Sequence, residues 1–243
     1  MEENSAPEIG KKKFKEYLLE GLMIFVAVSM GFFSENIREY IGETKQEEEY
    51  VKSLINDLKL DTTYLNKSNL VKMEAEQSAM DLLNYFKENP DAENIPAALL
   101  YKMDISNQLL IFIGHTGAIE QLKNSGSLRL IKNKALVDSI EAYYQQNKRV
   151  DHLNSLLLNN QDYARKLKQK MINAKDIIGI FDSLIVNRPI NNQTNYISLK
   201  KEFINEYINQ LVFTYRLSIS MKKIHKSLIQ KASQLIRQLN EEY

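Results

Sequence analysis

A chain of 243 residues with 44% hydrophobic content is long and apolar enough to bury a core, which excludes disorder throughout. Its 32 Lys and Arg against 31 Asp and Glu leave a formal net charge of +1, so no global field favours a polyanion and no nucleic-acid partner is expected. Eight glycines and four prolines are too few turns for an all-β or doubly wound fold, and the lack of cysteine removes disulfides and thiolate metal sites.

Residues 1–15 are polar and end in Lys11, Lys12, Lys13 and Lys15, which reads as a basic cytoplasmic tail. The next stretch, Tyr17 to Phe33, is the most hydrophobic in the chain, with Glu20 its only charge. Apolar residues cover every face of the helix it would form, whereas the rest of the chain shows stripes. A helix over residues 16–37 is roughly 30 Å long at ~1.5 Å per residue, enough to span a bilayer. A secretory segment cleaved after Ala27-Val-Ser29 and a buried core helix are the alternatives, the first disfavoured by bulky Phe32 and Phe33. Four lysines precede the span while Arg38 and Lys45 follow it, which places the N-terminus in the cytoplasm and residues 38–243 in the periplasm. The expected location is therefore the bacterial inner membrane, single-pass, with the lipid bilayer as first partner.

Within the span Glu20, Ala27, Gly31 and Ser34 share one small, polar stripe on which another helix can pack closely. A carboxyl in a membrane helix is a functional candidate, but Glu20 sits one turn inside and reaches the interface near Lys13 and Lys15 by snorkelling.

Beyond Asn36 the pattern stays helical to Asn89-Pro90, with Val51, Leu54, Ile55, Leu58 and Leu65 on one face and Gly42 as a mild interruption. Residues 89–96 form a loop, and Pro96 suits the first turn of a helix over Ala97 to Ile113. Thr116 is positioned to cap a short helix over Ala118 to Asn124, Gly126 to stop it, and Asn133 to cap a long helix running towards Lys175. Asp176 to Ser198 reads as a loop with an apolar half, Ile177 to Val186, returning to the membrane-proximal end against the stalk. Leu199 to Glu242 completes the set with a near 3.5-residue repeat. The expected fold is all-α: one transmembrane helix continuing into an elongated antiparallel bundle of three long helices, with two short helices filling its distal end.

Two blocks carry a family resemblance. Glu16-Tyr-Leu-Leu-Glu-Gly-Leu-Met-Ile-Phe25, Phe33-Ser-Glu-Asn-Ile-Arg-Glu39 and Tyr50-Val-Lys-Ser-Leu-Ile-Asn-Asp-Leu58 form the first. Ile119-Glu-Gln-Leu-Lys-Asn-Ser-Gly-Ser-Leu128, with Ile131-Lys-Asn-Lys134 and Ile140-Glu-Ala-Tyr-Tyr144, forms the second. Together they resemble uncharacterised single-span envelope proteins common in Bacteroidetes-type bacteria. That resemblance implies an anchored helical domain and supplies no catalytic residue.

His115, His152 and His225 lack a second ligand at one-turn spacing, and no phosphate loop, dinucleotide turn or nucleophile elbow occurs, so no catalytic residue, cofactor or metal is expected. His152 and His225 read as surface or partly buried helix residues. The leading function is an anchored helical scaffold that binds itself or another envelope protein. The alternatives are a sensory ligand-binding bundle, whose signal must leave through a partner because about fifteen residues precede the span, and an accessory subunit of an ion-driven membrane complex.

Overall fold

The computed structural model describes the backbone of residues 9–178 and 196–243, and side chains from residue 14 onward. The protein is about 85% helical, with six helices among the described residues, so it is all-α as the composition requires. It divides into two compact units, residues 1–51 and residues 52–243.

The described residues of the first unit form a single helical stretch, part of helix α1 (Ile9–Glu88). No proline falls between Pro7 and Pro90, and α1 stays helical through Gly42. The interruption expected there does not occur, because one glycine costs only ~1 kcal/mol within an otherwise cooperative helix. Leu18, Leu22, Ile24, Phe25, Met30, Phe32 and Phe33 are all exposed. The stretch is long and apolar enough to cross a membrane, and none of its apolar window is buried by the rest of the chain.

In the second unit α1 ends where Pro90 forbids continuation and the Asn89 N–H donates to the Tyr85 carbonyl at 2.9 Å. There follow strand β1 (Asn94–Pro96), helix α2 (Ala97–Ile105), helix α3 (Gly117–Asn124), a 3-10 turn (Ser127–Leu130), helix α4 (Lys134–Met171), strand β2 (Tyr196–Ser198) and helix α5 (Lys201–Glu242). Asn133 caps α4 as expected, its side chain accepting from the Leu136 N–H at 3.1 Å. Gly126 ends the corner after α3 with φ 70°, a left-handed conformation that glycine adopts without strain. Thr116 stands at the N-cap of α3 but makes no side-chain cap bond.

Each long helix buries a seam at alternating four- and three-residue steps, the spacing that keeps one face on a partner. On α1 the seam is Leu54, Leu58, Asp61, Leu65, Ser68, Lys72, Ala75, Ala79, Leu82 and Phe86. On α5 it is Ile204, Tyr207, Leu211, Thr214, Ser218, Met221, His225, Leu228, Ala232, Leu235 and Leu239, without a slip. On α4 the alternation slips once, Asn154–Leu157–Asn160 taking two three-residue steps, which locally overwinds the pair.

Chain direction differs from the expectation of three legs. Descending from β1, the chain meets α1 in reverse order: Lys102 bonds Asp81, Ser68 bonds the Leu110 carbonyl, and Asp57 bonds the Ala118 N–H. Residues 97–124 therefore make a fourth, broken leg antiparallel to α1, instead of filling one end. In consequence α4 runs parallel to α1, with Tyr143 on Asp61 near its start and Leu167 in one cluster with Phe86 near its end. Helix α5 descends again, bonding α1 from Glu76–Ser218 to Asn69–His225.

The return between α4 and α5 is also placed otherwise than expected. β2 pairs antiparallel with β1, Ile95 opposite Ile197, both fully buried. The Leu199 N–H donates to Glu93 and the Lys200 N–H to Met171, at 2.7 and 2.8 Å. The described ends of this return thus lie where α1 stops, opposite the end by which α1 enters the unit. Ile180 to Val186, most of the expected apolar half, fall outside the described residues.

Candidate functional site

Helix α2 stops at Ile105, eight residues short of its expected end, and residues 107–116 run as a non-helical strap among α1, α4 and α5. Buried backbone without helix or sheet partners must find side-chain partners. Here it does. Gln161 Nε2 donates to the Asn107 carbonyl at 2.8 Å while Asn107 Nδ2 donates to the Gln161 carbonyl at 3.1 Å. Ser68 Oγ donates to the Leu110 carbonyl at 2.5 Å, and Asn154 Nδ2 to the Phe112 carbonyl at 2.7 Å. A Cβ on Gly114 would stand 2.5 Å from Asn147 Nδ2, so any larger residue there must displace the buried Asn147 amide.

Asp61 anchors the far end of the strap. Its side chain is fully buried, its Oδ1 accepts the His115 backbone N–H at 2.9 Å and meets His115 Nδ1 at 2.7 Å, and its Oδ2 accepts the Tyr143 hydroxyl at 2.7 Å. One turn earlier Asp57 accepts the Ala118 N–H at 3.1 Å. Asp57 thus takes the N–H of the second residue of α3, the group an N-cap side chain normally serves, while Asp61 holds the residue before the cap. Thr116 makes no side-chain cap bond of its own. Burial first, then the Asp61 charge and hydrogen bond, push the Tyr143 hydroxyl well above its ordinary value, and Tyr144 is raised by burial and by Asp57 and Asp61. Both phenols stay neutral, and Tyr143 donates to Asp61.

Lys72 sits at the centre of the unit, 2% exposed. Its Nζ donates to Ser68 Oγ at 2.8 Å and reaches the Leu110 carbonyl at 3.4 Å. Burial lowers its pKa from 10.5 to about 8, against an opposing pull from Glu76. His225 faces it from α5, fully buried, with Nδ1 3.0 Å from Asn69 Oδ1 and its ring edge against Phe112. Burial, and secondarily the Lys72 charge, hold it down at about 3, so it is a neutral core imidazole. Glu76 in turn accepts from Ser218 Oγ at 2.9 Å and from Lys222.

A hydroxyl beside an amine of near-neutral pKa has the ingredients of a nucleophile and its base. The Ser68 proton, however, is committed to the Leu110 carbonyl, and neither side chain reaches solvent. The carboxylate-held His115 is 42% exposed, and among the described residues no three histidine or carboxylate side chains gather to hold a metal ion. Burial, orientation and hydrogen-bond pattern all fit a group of side chains that holds the strap.

These residues escaped the sequence pattern because they occupy seam positions with polar types. Ser68, Lys72, Asn147, Asn154, Asn160, Thr214, Ser218 and His225 interrupt the apolar stripes and read as surface, although their four- and three-residue spacing marks them as seam. His225 is the clearest correction: expected at the surface or partly buried, it is fully buried, whereas His152 is exposed. Glu20, Ala27, Gly31 and Ser34 all lie exposed on α1 of the first unit, and a Cβ at Gly31 would meet nothing within 4 Å. A groove of about 680 Å³ opens between α2 and α4, floored by Tyr207, Leu211 and Thr214 and rimmed by the Asp104–Lys168 and Asp162–Arg165 ion pairs.

No family model, curated protein or solved structure matches the chain. What the protein does must be read from its own residues.

Proposed function

We propose that the protein is a membrane-anchored helical scaffold of the bacterial envelope, which binds itself or another envelope protein. The observation that carries this reading is the all-round exposure of apolar side chains from Leu18 to Phe33 on a regular helix. Eleven large apolar side chains in water carry a large penalty at ~25 cal/mol per Å² of apolar surface, and lipid removes it. The lysines before the stretch favour a cytoplasmic N-terminus and a periplasmic second unit. The resemblance to single-span envelope proteins points the same way. The interior of the second unit, where Ser68, Asn154 and Gln161 hold the strap, fits a rigid display body.

Alkaline carbonate extraction of native membranes should leave the full chain in the pellet. Because the chain has no cysteine, a single thiol at the exposed Asp151 should react with a membrane-impermeant maleimide added to the periplasm. Full-length chain in the aqueous fraction would sink the reading, and labelling only after lysis would reverse the orientation.

A second reading, a periplasmic ligand-binding bundle, draws on the groove between α2 and α4. Its size falls within the few hundred to ~1,000 Å³ usual for small-molecule sites. Thermal shifts against a panel of polar metabolites test it, and a uniformly flat response removes it.

A further inference from the structure

The strap is held unevenly along its length. Its ends are clamped, by the reciprocal Asn107–Gln161 amide pair at one end and by Asp61 on the backbone N–H and imidazole of His115 at the other. Between the clamps only Phe112 is buried; Gln108 and Ile113 are exposed, and Leu109, Leu110, Ile111 and Gly114 are half-buried. Phe112 lies against the rings of Tyr64 and His225, with centroids 6.3 and 6.1 Å away. Each long helix, by contrast, buries a whole seam of side chains.

The bundle around the middle of the strap is also incompletely paired. Asn147 Oδ1, Asn154 Oδ1 and His225 Nε2 are buried and meet no hydrogen-bond partner among the described residues. All three side chains border the strap, Asn147 at Gly114 and the other two at Phe112. Buried polar atoms left unpaired are few in native proteins and unfavourable, so closing the strap over them has a cost that lifting it relieves by hydration. The local sequence adds to that cost, because Leu109 to Ile113 continues the α2 pattern and is kept from helix only by distant side chains.

We infer that residues 108–114 lift from the bundle as one segment, with Phe112 as the latch, while the seams of α1, α4 and α5 stay packed. Opening releases one buried side chain, so it lies far below global unfolding in free energy. It bares Ser68, Lys72 and Asn154, which in the closed form donate to the Leu110 and Phe112 carbonyls. The open cleft therefore presents donors to extended backbone beside a pocket for one aromatic ring. The inference concerns the second unit alone and stands whether or not the first lies in lipid.

The cysteine-free chain lets thiol protection read the opening. Asn147→Cys places a thiol beneath Gly114, and Ala232→Cys places one in the fully buried α5 seam. Each full-length variant is kept in detergent micelles and given an excess of a small thiol reagent. The thiol at position 147 should react at least ~100-fold faster than that at 232, at a rate that urea below the unfolding transition barely changes. Phe112→Ala should speed labelling at 147 at least ~tenfold by removing the latch. Leu82→Ala truncates a fully buried α1 seam residue that open and closed forms share, so it should speed labelling at 232 and leave 147 unchanged. If that truncation unfolds the unit, Leu82→Val makes the same comparison. One shared rate at both positions, an equal response of both to the Leu82 substitution, or no response of 147 to Phe112→Ala overturns the inference.

Discussion

Lys72 gives the sharpest test of how the second unit is held together. Its ammonium is buried against Ser68 Oγ and the Leu110 carbonyl, with Glu76 and His225 as the nearest titratable neighbours named by its electrostatics. A pKa lowered from 10.5 to about 8 means that folding disfavours the charged form by about 3 kcal/mol. The sign follows from proton counts. Below pH 8 both folded and unfolded chains carry the proton and the full penalty applies; between pH 8 and 10.5 the folded chain has lost it and stability rises with pH; above 10.5 the rise ends. Tyr143, Tyr144 and Tyr207, whose hydroxyls are raised from 10.0, begin to oppose this only above pH 10. Lys72→Met keeps the length of the side chain, removes the charge, and leaves the Ser68 bond to Leu110 in place. Urea unfolding in detergent micelles, followed by far-UV circular dichroism, should show the parent chain about 2 kcal/mol more stable at pH 9.5 than at pH 7. The variant should be flat over that range and about 1–3 kcal/mol more stable than the parent at pH 7. A parent curve without the alkaline rise, or a variant clearly less stable at pH 7, would refute the reasoning and show that the ammonium contributes net stability through the Leu110 carbonyl.

The acid side of the same cluster follows the same sign in a lower pH window. His225, held at about 3 against an ordinary 6.5, leaves stability unchanged above pH 6.5 and lowers it as pH falls from 6.5 towards 3, by about 3 kcal/mol at pH 4; His225→Leu should remove that part of the acid limb, read as the difference between the two pH–stability curves. Gly114→Ala forces a Cβ to 2.5 Å from the buried Asn147 amide and should cost about 1–3 kcal/mol in urea midpoint at unchanged slope. An unaffected midpoint would mean that the strap yields without cost.

The long helices and several of their ends were legible because they follow from local rules, whereas Thr116 makes no cap bond and α2 stops at Ile105. Pro90 stops α1, Asn133 starts α4 and Gly126 turns the corner, and each residue enforces its conformation without tertiary help. The strap was not legible. Leu109 to Ile113 is an apolar run that continues the α2 pattern, and what unwinds it is competition from Ser68, Lys72, Asn154 and Gln161, which lie 38 to 54 residues away in the chain. β1 and β2 were hidden for a related reason, since three-residue strands are too short to show a two-residue period and their partners are about a hundred residues apart. Missing the strap and the ribbon carried over into the topology: without a descending leg, α4 had to be drawn antiparallel to α1.

The unbroken four- and three-residue seams of α1 and α5 have an inherent ambiguity, because sliding one helix by seven residues, about 10.5 Å, puts a seam position back on a seam position. Leu58 could then stand where Leu65 stood at little cost in buried area. The polar centre removes that freedom. After such a slip Ser68 and Lys72 would face apolar seam instead of the Leu110 carbonyl, and each buried group left unpaired costs roughly 1–3 kcal/mol. Replacing the polar layer by leucine would therefore raise stability while loosening register, the trade known from buried polar positions in coiled coils. If the second unit serves as a scaffold, a fixed register is the property that matters, since a slipped helix moves every outward-facing residue with it.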